Sequence, residues 1–424
     1  MMKKRLILSS GLANAFEWYD YALFGHLAQI IGQKFFPDNN PNVALLNAFL
    51  VFAAGYLMRP LGGIVFGIIG DRLGRKTALS AAVFFMAFPT AIIGLIPTYE
   101  TIGILAPIIM LIARLLQGLS MGGALTGSVS FLIEHASVSR RGLAGSIPMA
   151  GICVGILMGS LISSFFRYML SPEQFNEWGW RIPFLLGIFI IFAGIYIKKY
   201  TFETPSFENA RKNGKIEHSP ISKVIANHKT DMLISIFINA TGSVLFYIQA
   251  IYLINYLKVE RHFLSSQIDM ISNLSYIFMG ITSIFAGWLS DKIGRIKIYR
   301  LNILIIFLTC FWAIKQIEYG SFFQVCMGQF ILAFVAAFYI GPEPALQAEF
   351  YPTEIRNTSL SLSYNLATTI FGGTTPYVIS YLVFKTNSLK SASYYILLCA
   401  ALSLIALYWY NIRTQDDNKH NRRI

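Results

Sequence analysis

Charge is what this sequence has least of. Asp, Glu, Lys and Arg make up 13% of its 424 residues. That is about half the share in a soluble domain, and it excludes a soluble fold of this size, whose surface nothing would cover. Cysteine is nearly absent: Cys153, Cys310, Cys326 and Cys399 all lie inside apolar runs and none forms a CxxC pair. A disulfide scaffold and a thiolate metal centre are therefore excluded, and the four are read as small core residues. The sequence has no metal-ligand cluster, no paired nucleophile and base, and no nucleotide loop, so no enzyme, cofactor or metal is expected. Strand-like alternation is not the dominant pattern, which argues against a membrane barrel. What is abundant is apolar: 55% of the residues, in recurring runs of the ~20 residues that carry a helix through a bilayer. The chain reads as an all-α integral membrane protein. Its net charge of +13 would suggest nucleic acid for a soluble chain. Here it follows from the enrichment of cytoplasmic loops in Lys and Arg, and no nucleic-acid partner is expected.

The first residues, MMKKRLILSSGLANA, imitate a signal peptide, with Ala13-Asn14-Ala15 as a cleavage-like triplet. Ser9, Ser10 and Gly11 interrupt the apolar core at once, and hydrophobicity continues to Ile31, so one uncleaved spanning helix is expected. Polar and Gly/Pro-rich breaks divide the chain into twelve helices, near 7–33, 43–69, 77–97, 102–134, 143–169, 181–200, 229–257, 267–289, 298–317, 321–347, 359–384 and 392–412. Twelve spans put both termini on one side. With the N-terminus cytoplasmic, Lys and Arg favour the inner segments by about three to one, a firm orientation signal. The longest polar stretch, 201–228, reads as a cytoplasmic linker between two six-helix halves, 1–200 and 229–413, with a short cytoplasmic tail at 414–424.

The halves echo each other. GIIGDRLGRKTAL (67–79) and GWLSDKIGRIKIY (287–299) each follow the second helix of their half, and Glu134 precedes Arg141 by the interval at which Glu349 precedes Arg356. Parallel repeats of this kind suggest a transporter whose site lies between two pseudo-symmetric bundles. The loop is not a P-loop, because Arg75 follows Gly74 where that motif needs Lys. Its glycines allow a tight turn between helices. Asp71 can face a helix N-terminus, where a carboxylate is favoured, and Arg75 can pair with Glu134. Asp291, Arg295 and Glu349 repeat the set in the second half. The duplicated loop resembles the signature loop of the major facilitator superfamily, and that resemblance implies a latch on the cytoplasmic side.

A second group of charges lies inside the helices. RLLQG (114–118) resembles a superfamily motif whose arginine, here Arg114, faces the central cavity, and Gln117 belongs to the same stretch. Arg59 lies about 10 residues, or roughly 15 Å, from the inner end of helix 2, and a charge at that depth faces the bundle interior or a cavity. On helix 1, Asn14, Glu17 and Tyr21 share a face with Asp20 at its edge. Burial favours a neutral carboxyl and a nearby cation an ionised one, so an acid held between the two influences can take up and release a proton. The alternative is a permanent pair with Arg59 or Arg114. Trp18 and Tyr21 are among four aromatics in this stretch; aromatic faces attract ammonium groups, which would suit a zwitterion, although packing is their commoner use. Gly151, Gly155 and Gly159 permit a close helix contact. GPEPAL (341–346) and FGGTTPY (371–377) look like breaks in helices 10 and 11.

Taken together, EWYD (17–20), RPLGG (59–63), GDRLGRK (70–76), QGLSMGG (117–123), WGWRIPF (178–184) and FYPTEIR (350–356) resemble the metabolite:proton symporter family of that superfamily, over nearly the whole chain. The resemblance implies proton-driven uptake of a small organic acid or zwitterion, proline/betaine-like or dicarboxylate-like, across a bacterial inner membrane. The implied partners are substrate, protons and lipid, with no obligatory protein partner. Two positions depart from the family pattern. Ala124 stands where relatives usually have Glu, and Glu343 stands on helix 10 where a neutral residue is expected. An uncoupled facilitator or exchanger, and a receptor built on a transporter fold, are the alternatives.

Overall fold

The computed structural model describes residues 4–38, 41–214 and 220–421. Twelve long helical rods follow one another: α1 (Lys4–Phe35), α2 (Pro41–Arg72), α3 (Arg75–Leu95), α4 (Leu105–His135), α5 (Arg141–Met169), α6 (Pro172–Tyr200), α7 (Lys229–Val259), α8 (Ser265–Ile293), α9 (Arg295–Tyr319), α10 (Phe322–Glu349), α11 (356–386) and α12 (Lys390–Asn421). No strand occurs among the described residues. Ten of the rods, all but α1 and α11, are long and apolar enough to cross a bilayer. The other two carry the polar side chains. α1 holds Asn14, Glu17 and Asp20; α11 holds Asn357, Thr358, Ser359, Ser361, Ser363, Asn365 and Thr368; all of these are buried. Large apolar residues such as Leu57, Phe88, Ile281, Leu308 and Phe384 are exposed instead. Buried polar groups with an apolar exterior suit a protein whose solvent is lipid.

Several helices depart from the boundaries expected of them, for local reasons. α6 starts at Pro172, not near 181, because Ser171 and Gln174 form a capping box over Pro172 at the first position. The polar run hid that start. A π turn at Phe175–Gly179 and a 3-10 turn at Leu186–Phe189 then adjust the rod's register. α10 breaks at Gly341 and Pro342 and resumes over Glu343–Glu349, and α11 contains a π turn at Thr368–Gly372. α12 runs on to Asn421, so most of the segment expected to be a tail is helical; residues 422–424 lie outside the described residues. The linker forms two short helices, Pro205–Lys212 and Pro220–Asn227, and its residues 215–219 also lie outside.

The chain divides into two compact units. Unit 1 comprises Met1–Ser137, Ile147–Pro220 and Thr353–Ser361; unit 2 comprises Val138–Ser146, Ile221–Pro352 and Leu362–Ile424. The opening turns of α5 thus belong to unit 2 and those of α11 to unit 1. Within unit 1, Gly155 seats α5 on α1: a Cβ there would stand 2.1 Å from the Ala15 carbonyl oxygen. An aromatic core of Phe24, Phe35, Phe175, Trp180 and Phe184 closes one end. There the Tyr19 hydroxyl donates to the Pro183 carbonyl at 2.6 Å.

Candidate functional site

α1, α2, α3 and α4 place a buried charge cluster in unit 1. Asp20 and Arg114 are paired at 3.1 Å, with both side chains shut off from solvent. Gln117, one turn further along α4, donates to Asp20 at 2.8 Å and to the Thr90 hydroxyl of α3 at 3.0 Å. The Arg114 guanidinium lies 3.8 Å from the centre of the Phe24 ring, with Phe52 and Tyr21 flanking it. Asp20 thus has a cation beside it and both oxygens bonded.

Glu17, one turn earlier on α1, is held differently. It is 2% exposed, and neither of its carboxyl oxygens has a hydrogen-bond partner. The cation acting on it is Arg59 of α2, whose guanidinium lies 5.5 Å from the centre of the Tyr56 ring. Trp18 and Tyr21 pack together with ring centres 5.8 Å apart, and Tyr21 meets Tyr56 edge-on at 5.3 Å. Most of the aromatic faces here stand against the protein's own arginines. Asn14 is turned to other work: its amide donates to the Ser128 hydroxyl at 2.7 Å and to the Ser10 carbonyl at 2.8 Å, tying α1 to α4.

The signature loops build two networks at helix ends. In unit 1, Asp71 accepts the backbone N–H groups of Asn357 and Thr358 at 3.2 and 2.8 Å, in the first turn of α11, where a carboxylate is favoured. Arg75 pairs with Asp71 at 3.1 Å and with Glu134 at 3.2 Å, and donates to the Gly70 carbonyl at 2.6 Å. Arg356 reaches Glu134 at 3.1 Å. In unit 2, Asp291 accepts the N–H groups of Gly142 and Leu143 in the first turn of α5, at 2.8 and 2.9 Å. Arg295 joins Asp291 at 3.5 Å and Glu349 at 2.9 Å.

The two networks are unequal, and the linker makes the difference. Glu203 accepts the N–H groups of Arg75 and Lys76 at 3.0 and 3.3 Å and so caps α3. Gly74 precedes that cap at φ +111°, and a Cβ there would meet the Glu203 carboxyl at 2.1 Å, so the position needs glycine. The Thr204 hydroxyl donates to Glu134 at 2.6 Å, and the Phe207 ring lies 5.2 Å from the Arg75 guanidinium. Arg75 and Glu134 are consequently buried at 1% and 0% exposure, against 13% and 26% for Arg295 and Glu349. Sequence reasoning missed Glu203 by reading 201–228 as linker alone. The signal was Thr204-Pro205, a helix start inside it. Thr90 gave no sequence signal at all.

Unit 2 holds the remaining candidate acid. Glu343 follows the break in α10, is 4% exposed, and accepts one hydrogen bond, from the Gln347 amide at 2.9 Å. The spacing of four residues on a helix could have announced that partner.

Comparison with known proteins gives two matching family models: "Sugar (and other) transporter" over residues 6–229 and "Major Facilitator Superfamily" over residues 232–423. The chain is 32% identical over 413 residues to an inner membrane metabolite transport protein of Escherichia coli (strain K12), covering 96% of this chain and 93% of that one. It is 30% identical over 411 residues to a glycine betaine/proline/ectoine/pipecolic acid transporter of Dickeya dadantii (strain 3937), covering 95% and 82%. Among solved structures it resembles a proton:xylose symporter bound to 6-bromo-6-deoxy-D-glucose, with a TM-score of 0.73 at 17% identity, covering 96% and 94%. That last likeness shows the fold alone.

Proposed function

This chain belongs to the major facilitator superfamily and is a membrane transporter, not an enzyme, and we propose that it carries a small zwitterion or organic acid together with a proton by alternating access. The observation that carries this reading is Glu17, buried beside Arg59 with no hydrogen bond to either carboxyl oxygen. An acid so placed can gain or lose a proton without dismantling a network, whereas Asp20 cannot. When the proton leaves, Arg59 answers the charge. When it binds, the Arg59 charge is no longer answered by Glu17 and favours an anionic group on a cargo molecule, so that binding of cargo and proton become linked. The relative named for glycine betaine, proline, ectoine and pipecolic acid supports a zwitterion as cargo.

The halves 1–200 and 229–413 are the moving bodies, and residues 201–228 join them. Asp71, Arg75 and Glu134, with Asp291, Arg295 and Glu349, act as cytoplasmic latches, the first reinforced by Glu203. The charge bias supports cytoplasmic termini, and the inner membrane metabolite transport protein of Escherichia coli supports a bacterial inner membrane as the location. One observation favours a second reading, an uncoupled facilitator: Ala124 is buried against Phe66 and Ala82, so that position offers no acid. Proteoliposomes with an inward proton gradient separate the two. Among proline, glycine betaine, 2-oxoglutarate, citrate and shikimate, a zwitterion should accumulate above its outside concentration, and a protonophore should abolish the excess. Entry that stops at equal concentrations would select the facilitator.

A further inference from the structure

We propose that Glu343 is a second proton site, so that two protons accompany each cargo molecule. The inference rests on the coupled-symport reading above and adds its stoichiometry. Glu343 lies in α10 directly after the Gly341–Pro342 break and is 4% exposed. Its one hydrogen bond comes from a neutral group, the Gln347 amide, at 2.9 Å. Among the described residues it forms no ion pair with Lys, Arg or His. The ionisable groups facing it are two phenols, Tyr339 of α10 and Tyr299 of α9. Their rings meet edge-on at 4.7 Å, and the Tyr339 hydroxyl donates elsewhere, to the Ile238 carbonyl at 2.6 Å. Arg295 is paired with Asp291 and Glu349.

An ionised carboxyl buried without a cation is costly, so something positive must answer it during part of the cycle. Oε2 lies close to Gly242 on α7: a Cβ there would stand 2.9 Å from it and 2.9 Å from the Tyr339 ring. With no cationic side chain paired to the carboxyl, a proton is the charge that answers it. The bond from Gln347 to Oε1 survives either way, since a carbonyl oxygen accepts it as a carboxylate oxygen does. The proton therefore goes on and off Oε2 while the group keeps its orientation. Each unit thus contains one acid free to change charge, Glu17 in unit 1 and Glu343 in unit 2, while Asp20 stays tied.

The full chain in lipid nanodiscs tests the site without any cargo. Infrared difference spectra between acid and alkaline buffer read the carboxyl C=O band of groups that gain a proton. Glu343→Gln should lose one component and Glu17→Gln a different one. A spectrum unchanged by Glu343→Gln, or a Glu343 component that does not respond to pH, overturns the site. If Glu343→Gln does not come out monodisperse, Glu343→Asp must show the component shifted, and an unshifted spectrum is equally fatal. Stoichiometry is read in proteoliposomes clamped at zero membrane potential, with proline as the probe. One pH unit should sustain about hundredfold accumulation in the wild type and about tenfold in Glu343→Gln, tenfold being the worth of one coupled proton. Tenfold in both overturns the two-proton proposal. Failure of the wild type to accumulate proline counts against the coupled reading and leaves the infrared result to decide the site.

Discussion

Glu17→Gln is expected to exchange labelled cargo across the proteoliposome membrane at close to the wild-type rate and to lose about tenfold in the accumulation that one pH unit sustains. Glutamine reproduces the size and neutrality of a protonated glutamic acid but has no proton to release. Carriers fixed in that form still bind cargo and reorient with it loaded, and the proton gradient acts through the remaining acid alone. The expected loss is therefore about tenfold in gradient-driven accumulation and small in counterflow. A purely structural pair with Arg59 predicts the reverse order of damage: removing the acid leaves a buried cation without its counter-charge, at a cost of about 3–5 kcal/mol, and yield and monodispersity fall before transport is measured. Counterflow and gradient-driven uptake assayed on the same preparation separate the two. Accumulation by Glu17→Gln at the wild-type level would remove the acid from the coupling role.

Arg114→Met is expected to damage the fold itself. Arg114 and Asp20 are both shut off from solvent and 3.1 Å apart. Methionine keeps the packing against Phe24 but leaves Asp20 with Gln117 as a donor and no cation. Breaking one side of a buried pair costs about 3–5 kcal/mol, which should show as a lower thermal midpoint in detergent and a loss of monodisperse protein. The double variant Asp20→Asn/Arg114→Met removes both charges and should recover much of the loss. The non-additivity of the cycle measures the pair directly. Arg114→Met as stable as the wild type would mean the pair is not load-carrying and would reopen Asp20 as a proton site.

How much of this was legible in the sequence follows from which forces leave local marks. Apolar runs and the Lys/Arg bias are local, so twelve helices and the linker between them could be read directly. The repeated loops were legible because the same residues recur in order. α6 was misplaced at its start because a capping box, not hydrophobicity, begins it. Glu17, Asp20, Arg59 and Arg114 could be picked out because charge in an apolar helix is rare. Their pairing was not legible. Which acid faces which arginine depends on how α1, α2 and α4 cross, and that is set by small residues such as Gly118, which seats α4 against Gly55 of α2 and whose contacts lie far away in sequence. For the same reason Thr90 and Glu203 stayed hidden: the first is one threonine on an apolar helix, and the second acts on a helix end that precedes it by more than a hundred residues.

The central claim is that cargo and proton move together, and the pH of the medium tests it most directly. De-energised proteoliposomes, weakly buffered and free of any imposed gradient, are given proline or glycine betaine from outside while external pH and label uptake are recorded together. Coupled entry predicts that the medium turns alkaline as label enters, that a protonophore collapses the response, and that Glu17→Gln shows about half of it per label entering while still exchanging label. Label entering the wild type with no change in external pH would contradict the account.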